Sequence, residues 1–387
     1  MLASCHHYKQ TDGKKRLMNY LIDTQSQLDE LRPLFEQLSN KPELSVVAVD
    51  TEFLREKTYN AKLCLVQLGF DEHQYCIDVL AIDDLSLLID FFADSNILKL
   101  FHAARQDMEV LYQTFGVLPK PIFDTQLAAA FCGADMQIGY SAMVEERLGI
   151  ELPKSQARTD WTRRPLSAEQ IQYAGDDVAH LQVLYEGELA SLKKNNKLEW
   201  YQEELQSLYE LDKYLIDPAS AYQRLNGGSL KISQQYALKA LAKWREEVAQ
   251  KRDIPRTWVL RDDKLFDLAV KRPKKVDDIL EMGIFGRKSA QYLAPQAAKV
   301  IADAEVGEER IWRKVEPLTK QEKSLCSRLM KDLTAFSQQH NVAQALLGTR
   351  KDVESLYRHR QSKKLLKGWR KATVGEPLLE VLRESGI

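Results

Sequence analysis

At 387 residues, with 44% hydrophobic and 29% charged residues, the chain has the composition of a globular protein of two or three domains. No apolar run approaches the roughly 18–20 residues that span a bilayer, and MLASCHHYKQTDGKKR lacks the apolar stretch of a secretory signal, which excludes both. The net charge of −1 hides a local asymmetry: Lys351–Lys371 carries eight Lys/Arg against two acids, a patch suited to a polyanion or to a solvated helix face. Five scattered cysteines (Cys5, Cys64, Cys76, Cys132, Cys326) without CxxC pairs read as reduced thiols of a cytoplasmic protein and argue against zinc.

Taken in order, residues 1–17 read as a disordered extension or an upstream start. Apolar spacing (Leu28, Leu31, Phe35, Leu38) predicts a helix over Leu21–Leu38, with Pro33 offering a later start. VVAVDTEF, Val46–Phe53, is a strand covered on both sides. Val46, Ala48, Asp50 and Glu52 share one face, so that face ends in two carboxylates. KLCLVQLGF (Lys62–Phe70), the turn DEH and QYCIDVL form a hairpin, and ILKLF (Ile97–Phe101) is a short strand. HAARQDMEVLYQTFG is a helix closed by Gly116, and in PIFDTQLAAAFCG a short strand leads into a helix capped by Asp124. Gly139–Leu148 and Ser167–Leu189 are further helices, separated by the Arg-rich loop KSQARTDWTRRPLS. Antiparallel strands followed by strands alternating with helices predict a mixed α/β sheet, and no phosphate-binding glycine loop is present.

Composition changes at Asp217–Ser229, which reads as a linker. Beyond it only helices are predicted: Gln234–Lys251, Asp262–Lys271, Lys275–Met282 and Lys288–Ala304 in one bundle, Lys320–His340, Thr349–Arg358 and Glu376–Arg383 in a second. The expected domains are therefore 18–216, a linker at 217–229, and helical modules at 230–310 and 318–387.

Two more acids complete a pattern. Asp107 lies at helical spacing with Ala103 and Leu111 in an apolar stripe, and Asp177 shares a helical face with Tyr173 while Asp176 is turned about 100° away. Each alone reads more often as a half-exposed or surface acid. Together, four carboxylates suit two hard divalent cations, Mg²⁺ or Mn²⁺, that activate water and stabilise the leaving oxygen of a phosphodiester. A tyrosine hydroxyl beside them suits orientation of that water better than general-base work, given a reference phenol pKa of about 10.

DTE (50–52), HAARQD (102–107) and YAGDD (173–177) resemble motifs I, II and III of the DEDD exonucleases, the last in the form of the tyrosine subclass. SQARTDWTRRPLS and LCLVQLG are similar to the ribonuclease D family, and IPRTWVLRDDKLFDLA with GIFGRK resembles its helical C-terminal (HRDC) module. The resemblance implies a ribonuclease H-like exonuclease domain followed by two small all-α HRDC-like domains. It implies that Asp50 bridges two metals, that Glu52 and Asp177 complete one site, that Asp107 serves the other, and that Tyr173 positions the attacking water. Hydrolysis from RNA 3′ ends, notably of tRNA precursors, would release nucleoside 5′-monophosphates; the enzyme is expected to be a cytoplasmic monomer.

His102 is a candidate contact to substrate, or a junction histidine satisfying the backbone. Lys154, Arg158, Arg163 and Arg164, with Trp161 among them, offer cations and a stacking surface for single strands, or else salt bridges around a core tryptophan. The basic KRPKK run (271–275) and Lys351–Lys371 would extend an RNA path. A proofreading-type DNA exonuclease and a non-catalytic nucleic-acid adaptor are the alternatives. The HRDC-like tail favours RNA, and the complete acid set with Tyr173 favours catalysis.

Overall fold

A computed structural model of the chain describes residues 7–9, 18–153, 156, 159–314 and 316–385. Its strands are β1 (His7–Lys9), β2 (Met18–Ile22), β3 (Ser45–Leu54), β4 (Lys62–Phe70), β5 (His73–Ile77), β6 (Ile97–Phe101) and β7 (Ile122–Asp124). They form one sheet in the order β1-β2-β5-β4-β3-β6-β7. The sheet is mixed, as the pattern predicts: β4 and β5 pair antiparallel, whereas β2–β5, β3–β6 and β6–β7 are parallel. β3 lies inside the sheet between β4 and β6, and Val47, Ala48 and Val49 are buried, which explains its nearly continuous apolar run.

The helices flanking this sheet are α1 (Gln25–Asp29), α2 (Arg32–Ser39), α3 (Ser86–Ala93), α4 (Arg105–Phe115), α5 (Thr125–Phe131), α6 (Tyr140–Leu148), α7 (Ala168–Ala179), α8 (Leu181–Lys194) and α9 (Leu198–Gln206). The later ones are α10 (Ile232–Arg252), α11 (Arg256–Val259), α12 (Asp262–Lys271), α13 (Val276–Glu281), α14 (Arg287–Ala302), α15 (Lys320–His340), α16 (Gln344–Leu347), α17 (Arg350–His359) and α18 (Glu376–Glu384). Among the described residues no helix is long and apolar enough to cross a membrane.

Several boundaries differ from expectation. Leu21 belongs to β2, not to a helix, and the predicted Leu21–Leu38 helix is two short ones. Thr24 and Gln27 build a capping box that starts α1, and Pro33 sits in the first turn of α2, where a missing N–H leaves no helical bond unmade. His7–Lys9, within the expected disordered extension, pair with β2. The predicted Ser167–Leu189 helix is broken at His180.

The described residues fall into two compact units, drawn from Met1–Leu54, Leu63–Glu210 and Leu318–Ile387 in one and Arg55–Lys62 and Leu211–Pro317 in the other. This redraws the expected domains in two places. The stretch 217–229 is no tether. Asp217 caps a 3₁₀ helix at Pro218–Arg224, and Ala221, Leu225 and Leu230 enter the core of the helical unit. In that unit Tyr59 donates a 2.5 Å hydrogen bond to Glu246, which is 0% exposed, and Asp253 accepts the backbone N–H groups of Tyr59 and Asn60.

The segment 318–387 packs within the unit that contains the sheet instead of standing alone. Trp369 stacks on Trp200 (ring centroids 4.7 Å apart, planes 13° apart), and the Glu203 carboxylate accepts the Trp369 backbone N–H at 2.9 Å. Arg370, one of the basic residues assigned to an RNA path, is buried against Glu204 at 2.6 Å and the Leu346 carbonyl. Its charge serves the packing. Asn341 and Ala343 extend the attachment, bonding the carbonyls of Cys132 and Ala130 at the end of α5.

Candidate active site

The acids converge where β3 passes under α7. One ligand atom each from Asp50, Glu52 and Asp177 lie within 4.8 Å of one another, the three acids that the resemblance assigns to one metal. Asp107 reaches this neighbourhood from α4 and is not in the three-carboxylate group: it is nearly buried, and Thr51 donates a 2.5 Å hydrogen bond to it.

Two close approaches seat α7 on the sheet. A Cβ at Gly69 of β4 would lie 2.9 Å from the Val178 carbonyl oxygen, and one at Gly175 would lie 2.4 Å from Asn19 of β2. Glycine at both positions lets the helix descend far enough for Asp177 to meet β3. Ser167 and Gln170 start α7 with a capping box. Tyr173, one turn before Asp177, gives the Asp177 carboxylate a hydrogen bond and packs beside Trp161.

Electrostatics make the cluster a cation receptor. Burial first, then the Asp177 charge, holds Asp50 well above the usual carboxylate range. Burial and then Asp50, Asp177 and Asp107 push Glu52 up to about 10. Asp107 is raised by burial and by Asp50, against the Thr51 hydroxyl, and burial lifts Asp177 to about 7 against the Tyr173 hydrogen bond. The named charges around these four groups are other carboxylates. Like carboxylates gathered in a desolvated site call for a divalent cation, and an all-oxygen donor set suits a hard one.

The predicted substrate contacts fare differently. His102 is used up by the fold: its Nδ1 lies 3.0 Å from Thr125 Oγ1 and its Nε2 2.8 Å from the Ile138 carbonyl, and burial lowers its pKa. Trp161 is 1% exposed and so offers no face for a base. Arg164 is a structural clamp, bidentate to Asp78 (2.6 Å for Nη2) and bonded to the Trp161 and Cys64 carbonyls. Its guanidinium knits the loop before α7 to the sheet, which a planar five-donor group does well. Lys154 and Arg158 lie outside the described residues.

The sequence reading missed the role of Thr51 and half the role of Asp124. Thr51 sits inside the DTE motif, so its position was visible and its partner was not. Asp124 caps α5 as expected, accepting from Gln126 and Leu127 N–H, and also accepts the N–H groups of Ala103 (3.1 Å) and Ala104 (2.9 Å). It thereby holds Ala103 at φ +63° immediately before the helix that carries Asp107.

Residues 22–187 match the family described as 3'-5' exonuclease, and residues 234–301 match the HRDC domain. Over 360 residues the chain is 36% identical to ribonuclease D of Granulibacter bethesdensis, covering 91% of this chain and 90% of that one. Over 359 residues it is 35% identical to ribonuclease D of Nitrobacter hamburgensis, covering 90% and 92%. It is also similar to the crystal structure of Escherichia coli RNase D, an exoribonuclease involved in structured RNA processing, with a TM-score of 0.82 and 29% identity over 94% of this chain and 98% of that one.

Proposed function

This chain is a metal-dependent 3′→5′ exoribonuclease of the ribonuclease D family, and we propose that it removes nucleoside 5′-monophosphates stepwise from single-stranded 3′ ends of tRNA precursors and other small structured RNAs. We assign it to the cytoplasm as a monomer. The observation that carries the catalytic reading is the Asp50–Glu52–Asp177 cluster, three acids with ligand atoms within 4.8 Å whose carboxyls burial and mutual repulsion hold above their usual range.

In this reading Asp50, Glu52 and Asp177 would hold one Mg²⁺ or Mn²⁺, and Asp50 with Asp107 would hold a second. Bound divalent cations supply Lewis-acid polarisation of the scissile phosphodiester and stabilisation of the departing 3′ oxygen. The protein's own part is placement. Thr51 fixes the Asp107 carboxylate, and the Tyr173 hydroxyl, seated on Asp177, orients the attacking water.

The test is digestion of 3′-labelled and 5′-labelled single-stranded RNA with Mg²⁺ or EDTA, beside Asp50→Ala and a DNA strand of the same sequence. Immediate release of a labelled 5′-mononucleotide from the 3′ end, abolished by EDTA and by the substitution, is expected. Preference for DNA would replace the substrate, and tight RNA binding without mononucleotide under either metal would leave an adaptor.

A further inference from the structure

The break between α7 and α8 falls three residues after Asp177, and a side chain from another helix makes it. In an uninterrupted α-helix the His180 N–H would bond to the Asp176 carbonyl, its i−4 partner. Instead the Tyr140 hydroxyl stands between them, donating to the Asp176 carbonyl at 3.0 Å and accepting at 3.1 Å from the His180 N–H, which also turns toward the Val178 carbonyl. His180 leaves helical geometry (φ −111°, ψ −2°), and α8 restarts at Leu181. Insertion of a polar group into the ladder is a recognised cause of helix kinks.

The Asp176 carbonyl belongs to the same rigid peptide unit as the nitrogen of Asp177. The Tyr140 hydroxyl therefore pins the plane from which the Asp177 side chain departs. Tyr140 is itself anchored. It opens α6, and its ring lies edge-on to His102 (centroids 5.7 Å apart), which bonds the Ile138 carbonyl two residues before Tyr140. His102, on the segment leading to Asp107, is thus joined to the end of α7 through residues 138–140.

We propose that Tyr140 is a positioning residue for the metal-holding carboxylate Asp177, setting its place by interrupting the α7 hydrogen-bond ladder. This rests on the role given to Asp177 above. Without the hydroxyl, the Asp176 carbonyl and His180 N–H are left to pair with each other, α7 runs on into α8, and Asp177 shifts relative to Asp50 and Glu52.

The experiment compares full-length wild type, Tyr140→Phe and the control Tyr20→Phe, which deletes a hydroxyl on β2. RNA hydrolysis is followed across Mn²⁺ concentrations, and the Mn²⁺-induced rise in Tm is measured without RNA. For Tyr140→Phe we expect a Mn²⁺ midpoint raised about fivefold or more, kcat lowered about tenfold and KM for RNA within about twofold. The Mn²⁺-induced Tm rise should shrink in Tyr140→Phe and persist in Tyr20→Phe. Unchanged midpoint, kcat and Tm rise would overturn the proposal, as would a general loss of Tm with the metal response intact. Phenylalanine keeps the ring against His102, and running all three proteins at 15 °C keeps a weakened variant folded. If wild type cleaves no RNA, the functional reading falls, while the Tm response to Mn²⁺ still decides the role of Tyr140.

Discussion

The hydroxyl of Thr51 donates a 2.5 Å hydrogen bond to the carboxylate of Asp107, 56 residues away in the chain. Asp50 and Glu52 point toward the α7 acid while the residue between them holds the α4 acid, so one strand organises both sides of the site. Thr51→Val preserves shape and removes the donor. Stability should fall by about 1–3 kcal/mol in urea unfolding, since a buried carboxylate loses its partner. Steady-state kinetics should show kcat falling more than KM rises, and an unchanged kcat would separate Asp107 from the reaction.

Asp50→Asn should abolish hydrolysis and stabilise the metal-free protein. Asp50, Glu52, Asp107 and Asp177 all have folded-state pKa values above the unfolded ones near 4. The folded, metal-free chain thus binds more protons than the unfolded chain, and its stability declines as pH rises from about 4 through 7 (Asp177) toward 10 (Glu52). Removing one of these acids relieves the cost, so Tm in EDTA at pH 8 should rise by on the order of 2–4 °C. A lower Tm would mean that Asp50 is satisfied by a partner in the fold.

Protons and cations compete for the same oxygens. Apparent Mn²⁺ affinity should increase with pH between about 6 and 9, and binding at pH 7 should release protons, visible as buffer-dependent heats in calorimetry. A pH-independent affinity would place the cation elsewhere.

Asp124→Ala removes an acceptor shared by four backbone N–H groups, two at the start of α5 and two at Ala103 and Ala104. A lost cap together with the released left-handed alanine should destabilise the protein by roughly 2–4 kcal/mol. Residual folded protein should need more metal for half-maximal activity, because the segment entering α4 loosens. Denaturant melts and metal titration of the same preparation check both.

Docking and RNA attraction in the last segment are separable. Trp369→Ala should lower Tm, because Trp369 stacks on Trp200 and packs on Phe131. Exposed Lys351 and Lys363 are free of that packing. Their joint replacement by alanine should leave Tm in place and reduce the slope of log affinity against log salt by roughly one to two. An unmoved slope would remove 318–387 from the RNA path.

How much was legible follows from how far each signal reaches. Period-two alternation marked β3 and its two acids, helical spacing paired Tyr173 with Asp177, and Gly116 and Asp124 marked helix ends, because all these depend on neighbours within a few residues. The same local reading began a helix at Leu21, inside β2, and joined α7 to α8, where a strand partner and the Tyr140 hydroxyl intervene from elsewhere.

The residues of the acid cluster, the mixed sheet and the helical character of the described elements beyond residue 230 were therefore determined by the sequence alone. Tertiary structure decided which polar side chains were left over for chemistry. Arg164 met Asp78, His102 met Thr125 and Ile138, Trp161 entered the core, and Trp369 found Trp200. A cation or a ring has the same local signature whether its partner is a phosphate, a base or a distant carboxylate; only packing brings the partner, and only the partner distinguishes a free group from a spent one.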